Sequence, residues 1–138
     1  MAGLTNYGED KIIGHLFNAV TYTPPATWYV GLFTNAPADT GGGVEVSGGA
    51  YARLPISPLT TTSGGVAEVT NTNTITWAAA STPWGTITHA GLFDAVSAGN
   101  LFAFAELQDV AFTSPNPKTI NTSDIFVIEA GNLKFALD

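Results

Sequence analysis

Ile125-Phe-Val-Ile-Glu129, Ala130-Gly-Asn132 and Leu133-Lys-Phe-Ala-Leu137 follow one another near the end of the chain. Two runs of β-branched, aromatic and aliphatic residues flank a break whose glycine can take the positive φ of a tight turn. The stretch therefore predicts a β-hairpin. In the second run Leu133, Phe135 and Leu137 alternate with Lys134, Ala136 and Asp138, which puts one side against a core and the other in water.

The same chemistry recurs toward the N-terminus. Thr27-Trp-Tyr-Val-Gly-Leu-Phe-Thr34 predicts a strand, closed by the Pro- and Gly-rich break from Asn35 to Gly43. Val44–Ile56 reads as a longer extended stretch with a bulge at Gly48-Gly49. Residues 57–72 are rich in Ser, Thr and Gly and read as a loop with one short strand near Val66–Val69. Asn73–Ala78, Thr86–Phe93 and Leu101–Leu107 read as strands, with a turn at Asp94–Asn100. Ahead of them, Asn6 and Glu9 have the spacing of a capping box, and Ile12, Ile13, Leu16, Phe17 and Val20 share one helical face. A helix over about residues 6–20 is predicted, its apolar face docked on the core, and Thr23-Pro24-Pro25 ends it. About eight short strands between residues 27 and 137, with no repeat and no linker, predict one domain spanning 1–138. Its expected class is mainly β, an antiparallel β-sandwich or jelly-roll-like fold with one N-terminal helix.

Composition narrows the function. Four Lys and Arg against eleven Asp and Glu give a net charge of −7 in 138 residues, and Lys11, Arg53, Lys118 and Lys134 are scattered. Nucleic-acid binding by phosphate neutralisation needs clustered cations, so no nucleic-acid partner is expected. No apolar run approaches the roughly 20 residues of a membrane span, and the opening residues lack a basic segment followed by an apolar one, so no membrane partner is expected. Cysteine is absent, which removes disulfides, thiolate metal sites and cysteine nucleophiles.

Catalytic, cofactor and metal sites are all expected to be absent. His15 lies beside the apolar helical face and reads as a hydrogen-bonded structural histidine. His89 and Asp94 are five residues apart, on opposite sides of a regular strand, so the spacing does not support a relay with a serine. Gly41-Gly-Gly43 lacks the following Lys-Ser/Thr of a phosphate loop and opens no helix. Asp39 and Glu45 flank it and could offer oxygens to Ca²⁺, but the spacing of an EF-hand is missing and loop solvation accounts for them. Trp28, Trp77 and Trp84 could stack on a sugar; at strand spacing they read better as core or interface anchors.

Assembly is the function class that composition favours. Forty-five per cent hydrophobic residues, 11% charged residues and a mean hydropathy of +0.21 leave a small domain with more apolar surface than it can hide alone. An oligomer, most simply a homotrimer, is expected, with Arg53, Tyr51, Trp28, Trp77 and Trp84 as candidate interface residues and Phe33, Phe102 and Phe112 near the outside. Arg53 is the only arginine and is expected to form a bidentate pair with a carboxylate, within the subunit or across an interface.

The motifs also carry a resemblance. Asn6-Tyr-x-Glu-x-Lys-Ile-Ile-x-His-Leu-Phe17, the strand Thr27–Thr34, Gly42-Gly-Val-Glu-Val-Ser-Gly-Gly-Ala-Tyr-Ala-Arg53 and Trp84-Gly-Thr-Ile-Thr-His-Ala-Gly-Leu-Phe-Asp94 are similar to blocks of a family of small tailed-phage structural proteins. The resemblance implies a virion protein: members are commonly labelled tail-fibre proteins, and similar small β-sandwich proteins cement icosahedral heads, often as trimers. A compact acidic chain without fibrous repeats ranks capsid decoration first, bound to the major capsid protein on the head surface. A small tail or tail-fibre component comes second and a carbohydrate-binding host-recognition module third.

Overall fold

The computed structural model describes residues 2–56, 59–62, 67–109, 111 and 113–137. Phe112 lies outside the described residues. The chain is mostly β, in several antiparallel sheets, with a single helix near the N-terminus among the described residues. In chain order the elements are β1 (Ala2–Leu4), α1 (Asn6–Phe17), β2 (Trp28–Asn35), β3 (Val44–Glu45), β4 (Leu54–Ile56), β5 (Leu59–Thr62), β6 (Ala67–Asn71) and β7 (Ile75–Thr76). Then come β8 (Gly85–Ile87), β9 (His89–Phe93), β10 (Leu101–Glu106), β11 (Lys118–Ile120), β12 (Val127–Ile128) and β13 (Lys134–Leu137).

The main sheet has the order β1-β10-β9-β2-β3, with β4 also paired to β2. Strand β2 carries the aromatic and β-branched run and is central, and four successive residues, Val30 to Phe33, are buried. Alternation therefore sends side chains into two packed layers rather than one. Val30 and Leu32 join Ala90, Leu92 and Ala103 in the principal core. On the opposite side, the rings of Phe33 and Phe93 stack with centroids 5.8 Å apart. Gly31 and Gly91, paired across the strands, make room for them. A Cβ on Gly31 would sit 2.8 Å from the Phe93 ring, and one on Gly91 2.7 Å from the Phe33 ring.

The C-terminal hairpin does not form as expected. β12 pairs with β7 and β13 pairs with β6, so the two runs diverge after the turn at Gly131, whose φ is +79°. The buried side chain of Asn71 holds the corner open: it accepts from the Leu133 N–H and donates to the carbonyls of Glu129 and Asn73. Sequence periodicity missed this because the partner lies 58 to 62 residues away. The stretch Thr86–Phe93 is likewise two strands, since β8 pairs with β11 while β9 joins the main sheet. At the junction, the Thr88 N–H donates to Phe33 and its carbonyl accepts from Leu107.

The helix departs furthest from expectation. It ends at Phe17, and its cap is Thr5 rather than Asn6, the Thr5 hydroxyl accepting from the Gly8 N–H and donating to the Leu101 carbonyl. Gly8 is its one buried residue: a Cβ there would lie 2.5 Å from the Phe102 carbonyl. The docked face is polar and aromatic, with Tyr7 donating to Asp94 and the Lys11 ammonium 5.0 Å from the Tyr7 ring centre. The apolar face points the other way. Ile13, Leu16, Phe17 and Val20 remain 54%, 66%, 79% and 58% exposed.

Candidate functional site

The Glu-Val-x-Gly-Gly-x-Tyr-Ala-Arg block loops out of an extended stretch without reversing it: β3 and β4 both run antiparallel to β2 along the same edge, so the expected interruption at Gly48-Gly49 is present, as an excursion of several residues. Gly48, Gly49 and Ala50 all take positive φ, and β3 and β4 on either side pair with the same strand β2. Glycine is required at position 49, where a Cβ would approach the Trp84 indole nitrogen to 2.8 Å. The excursion leaves Glu45 and Arg53, at its two ends, side by side. Arg53 Nε and Nη2 reach the two Glu45 carboxylate oxygens at 2.8 and 2.7 Å, a bidentate fork within the subunit.

The same guanidinium donates from Nη1 to the carbonyls of Ala95 and Ala98, tying down the 94–100 turn, and lies 3.3 Å from the Phe93 ring centre. The Tyr51 hydroxyl accepts from the Leu32 N–H at 2.8 Å and donates to Glu45 at 2.9 Å. Burial, together with the facing Glu45 carboxylate, pushes the Tyr51 phenol far above its usual value. It therefore remains a neutral donor. The Arg53 side chain is only 9% exposed, so this is an enclosed ion pair with nearly every donor filled.

Two candidate interface residues prove to be interior. Trp77 and Trp84 are 2% and 6% exposed, and their indole N–H groups donate to the carbonyls of Ala52 and Gly49. They clamp the looped-out segment from beneath, which explains their burial: each has an apolar body for the core and a donor for a loop carbonyl. Phe33 is also buried, whereas Trp28 and Phe102 are partly exposed and pack edge to face. Tyr51 and Arg53 face inward to Glu45, not outward to a partner.

The two histidines lie on different elements, each with its own local contacts. His15 Nδ1 accepts from the Tyr22 N–H at the end of α1. His89 packs against Phe104, beside the Thr88 hydroxyl, and burial lowers its pKa although Glu106 opposes the shift. Asp94 uses its oxygens on Tyr7 and on the side chain and backbone of Asn100. Partial burial raises its pKa, but those hydrogen bonds outweigh it and hold the carboxyl below its usual range. Asp39 is exposed and its carbonyl accepts from the Asn6 N–H. With Glu45 it lines a recess of about 580 Å³ between the Gly41–Gly43 loop, the start of α1 and the Phe33–Phe93 stack. Among the described residues no group of three or more His, Asp or Glu could hold a metal ion, and no helix is long and apolar enough to cross a membrane.

A second hollow, about 690 Å³, lies along β10, β11 and β12 and is bordered by Asp109, Asp124, Lys118 and the exposed Ile125 and Val127. Its walls mix both charges with apolar side chains. The geometry thus combines an ion-pair brace, two hollows and an uncovered apolar helix face. The chain is a virion structural protein of a tailed bacteriophage. It belongs to the family described as podophage GP4 fiber I protein gp80, whose model matches residues 3–136. No curated protein matches the chain.

Proposed function

We propose that the chain is a fibre component of the podophage virion, seated on the tail, and that it acts by binding other virion proteins without turnover. The family match carries this reading, because it spans nearly the whole chain and the family is described by a fibre. The rigid Glu45–Arg53 brace supports it: a fibre transmits force at adsorption, and a fold tied through buried charge and stacked rings resists local opening. Head cementing, ranked first from the resemblance and the compact acidic chain without fibrous repeats, is the competing role.

Copy number and phenotype separate the two. Quantitative mass spectrometry of purified virions should find tens of copies, and phage lacking the gene should keep intact heads but fail to adsorb. Hundreds of copies, with heads that burst on mild heating when the protein is missing, would establish the cement role instead. His15→Ala and His89→Ala phages should adsorb like wild type. Loss of adsorption in either, with the protein still folded, would point to chemistry at that histidine.

A further inference from the structure

We infer that α1 is a self-association element, in which the exposed face formed by Ile13, Leu16, Phe17 and Val20 packs against the same face of a second copy of this chain. The first ground is the orientation of the helix. It docks through Tyr7 and Gly8 and turns its apolar side outward, with Phe17 79% exposed. The αL residue Ala19, with φ +54°, folds Val20 back so that its N–H reaches the Gly14 carbonyl, which fixes Val20 beside the helix. These side chains recur at the spacing of a helix-packing stripe.

The second ground is area. From the ordinary sizes of these residues the patch is roughly 500 Å², at the upper end of what a soluble monomer leaves uncovered. Two copies meeting there hide about 1,000 Å², which is where specific interfaces begin. The third ground is charge. Every copy carries −7, so identical chains repel wherever charged surfaces meet. This patch contains no charged residue, and Glu9 and Asp10 are confined to the first turns of the helix. Helices that cross near Ile13 and Phe17 leave those acids splayed apart. An apolar, charge-free stripe suits self-pairing, whereas a partner chosen by charge would be recognised elsewhere. The inference holds whether the protein sits on head or tail.

The chain has no cysteine, so a single introduced thiol gives a clean readout. Light scattering should give the full-length protein a molar mass that is a multiple of 14.3 kDa and rises with salt, as screening relieves the repulsion. Phe17→Asp should weaken association about tenfold or more, while its circular-dichroism melt stays that of a folded protein. Val96→Asp, at another exposed apolar residue outside the helix face, should leave the mass unchanged. Ile13→Cys should give a covalent dimer on mild oxidation and Val96→Cys should not. A wild-type monomer at all concentrations, or a Phe17→Asp protein that still associates like wild type, would overturn the inference. So would equal cross-linking at positions 13 and 96, and the first of these results would leave a different virion protein as the occupant.

Discussion

Glu45 and Arg53 lie eight residues apart in a loop-rich stretch and end up enclosed, with both carboxylate oxygens and four guanidinium hydrogen bonds engaged. Ile13, Leu16 and Phe17 lie on a regular helix, with Val20 folded back beside it, and these four meet little of their own chain. The charged side chains of the polar block turned inward and the apolar stripe became surface. What decides is whether a segment's partners can be satisfied. The excursion around Gly48–Ala50 offers carbonyls that two indoles can fill, so packing the core beneath it leaves few orphaned groups. The helix has a glycine face that lets it lie against the Phe102 backbone, and docking by that face leaves the other one free.

The largest test of that contrast is Glu45→Gln. It strands the Arg53 charge, only 9% exposed, and should cost about 3 kcal/mol or more in urea unfolding. Arg53→Lys keeps the charge but loses the fork and the ties to Ala95 and Ala98, and should cost less. A loss below about 1 kcal/mol in Glu45→Gln would mean that the brace is not what holds β3 and β4 to β2.

The glycines come next. Gly31→Ala places a Cβ 2.8 Å from both Glu45 Oε1 and the Phe93 ring, and overpacking of that kind costs about 1–3 kcal/mol. On the helix side, Gly8→Ala improves intrinsic helix propensity by about 1 kcal/mol, yet its Cβ would meet the Phe102 carbonyl. Net destabilisation, with faster amide exchange confined to α1 and β1, is expected. Stabilisation by Gly8→Ala would show that the helix is not closely docked.

A smaller effect of opposite sign is expected at the helix end. Ala19 holds φ +54° without being glycine, so Ala19→Gly should raise stability by about 0.5–1 kcal/mol. An unchanged melting temperature would argue that the turn is not held in that conformation. The smallest effect is one of pH. The folded pKa of Asp94 lies below its unfolded value near 3.8, so its contribution is present above that value and is lost as pH falls through the folded pKa. Stability should therefore drop more steeply below about pH 4 in wild type than in Asp94→Asn. Asp109, also lowered by hydrogen bonds from Thr113, titrates in the same window and remains in both proteins as a common background. Parallel acid limbs would show that the Tyr7–Asp94–Asn100 contacts do not depend on the charge.

Much of the fold was legible. Strands β2, β9 and β10, the 94–100 turn, the glycine at the C-terminal corner and the existence of a helix before the Pro24-Pro25 break all follow from local chemistry. The bidentate pairing of Arg53 also followed, since a lone guanidinium in an acidic, apolar chain is drawn to a carboxylate. Its partner was less visible, although Glu45 and Arg53 flank a Gly-Gly pair that could have signalled an excursion closing on itself and bringing them together. Asn71 had no local signal at all.

Steric rules and side-chain periodicity act over a few residues, so turns, strands, the helix and its two chemically distinct faces are written in the amino-acid order. Which face is buried, which strands pair and which tryptophans leave the surface depend on groups tens of residues away. The β12 and β13 runs part because Asn71 satisfies the corner between them, and the apolar side of α1 stays outside because Gly8 fits more closely against β10. Local preference is nearly independent of context. Burial is a competition among all the surfaces of the chain, and it is settled only when they meet.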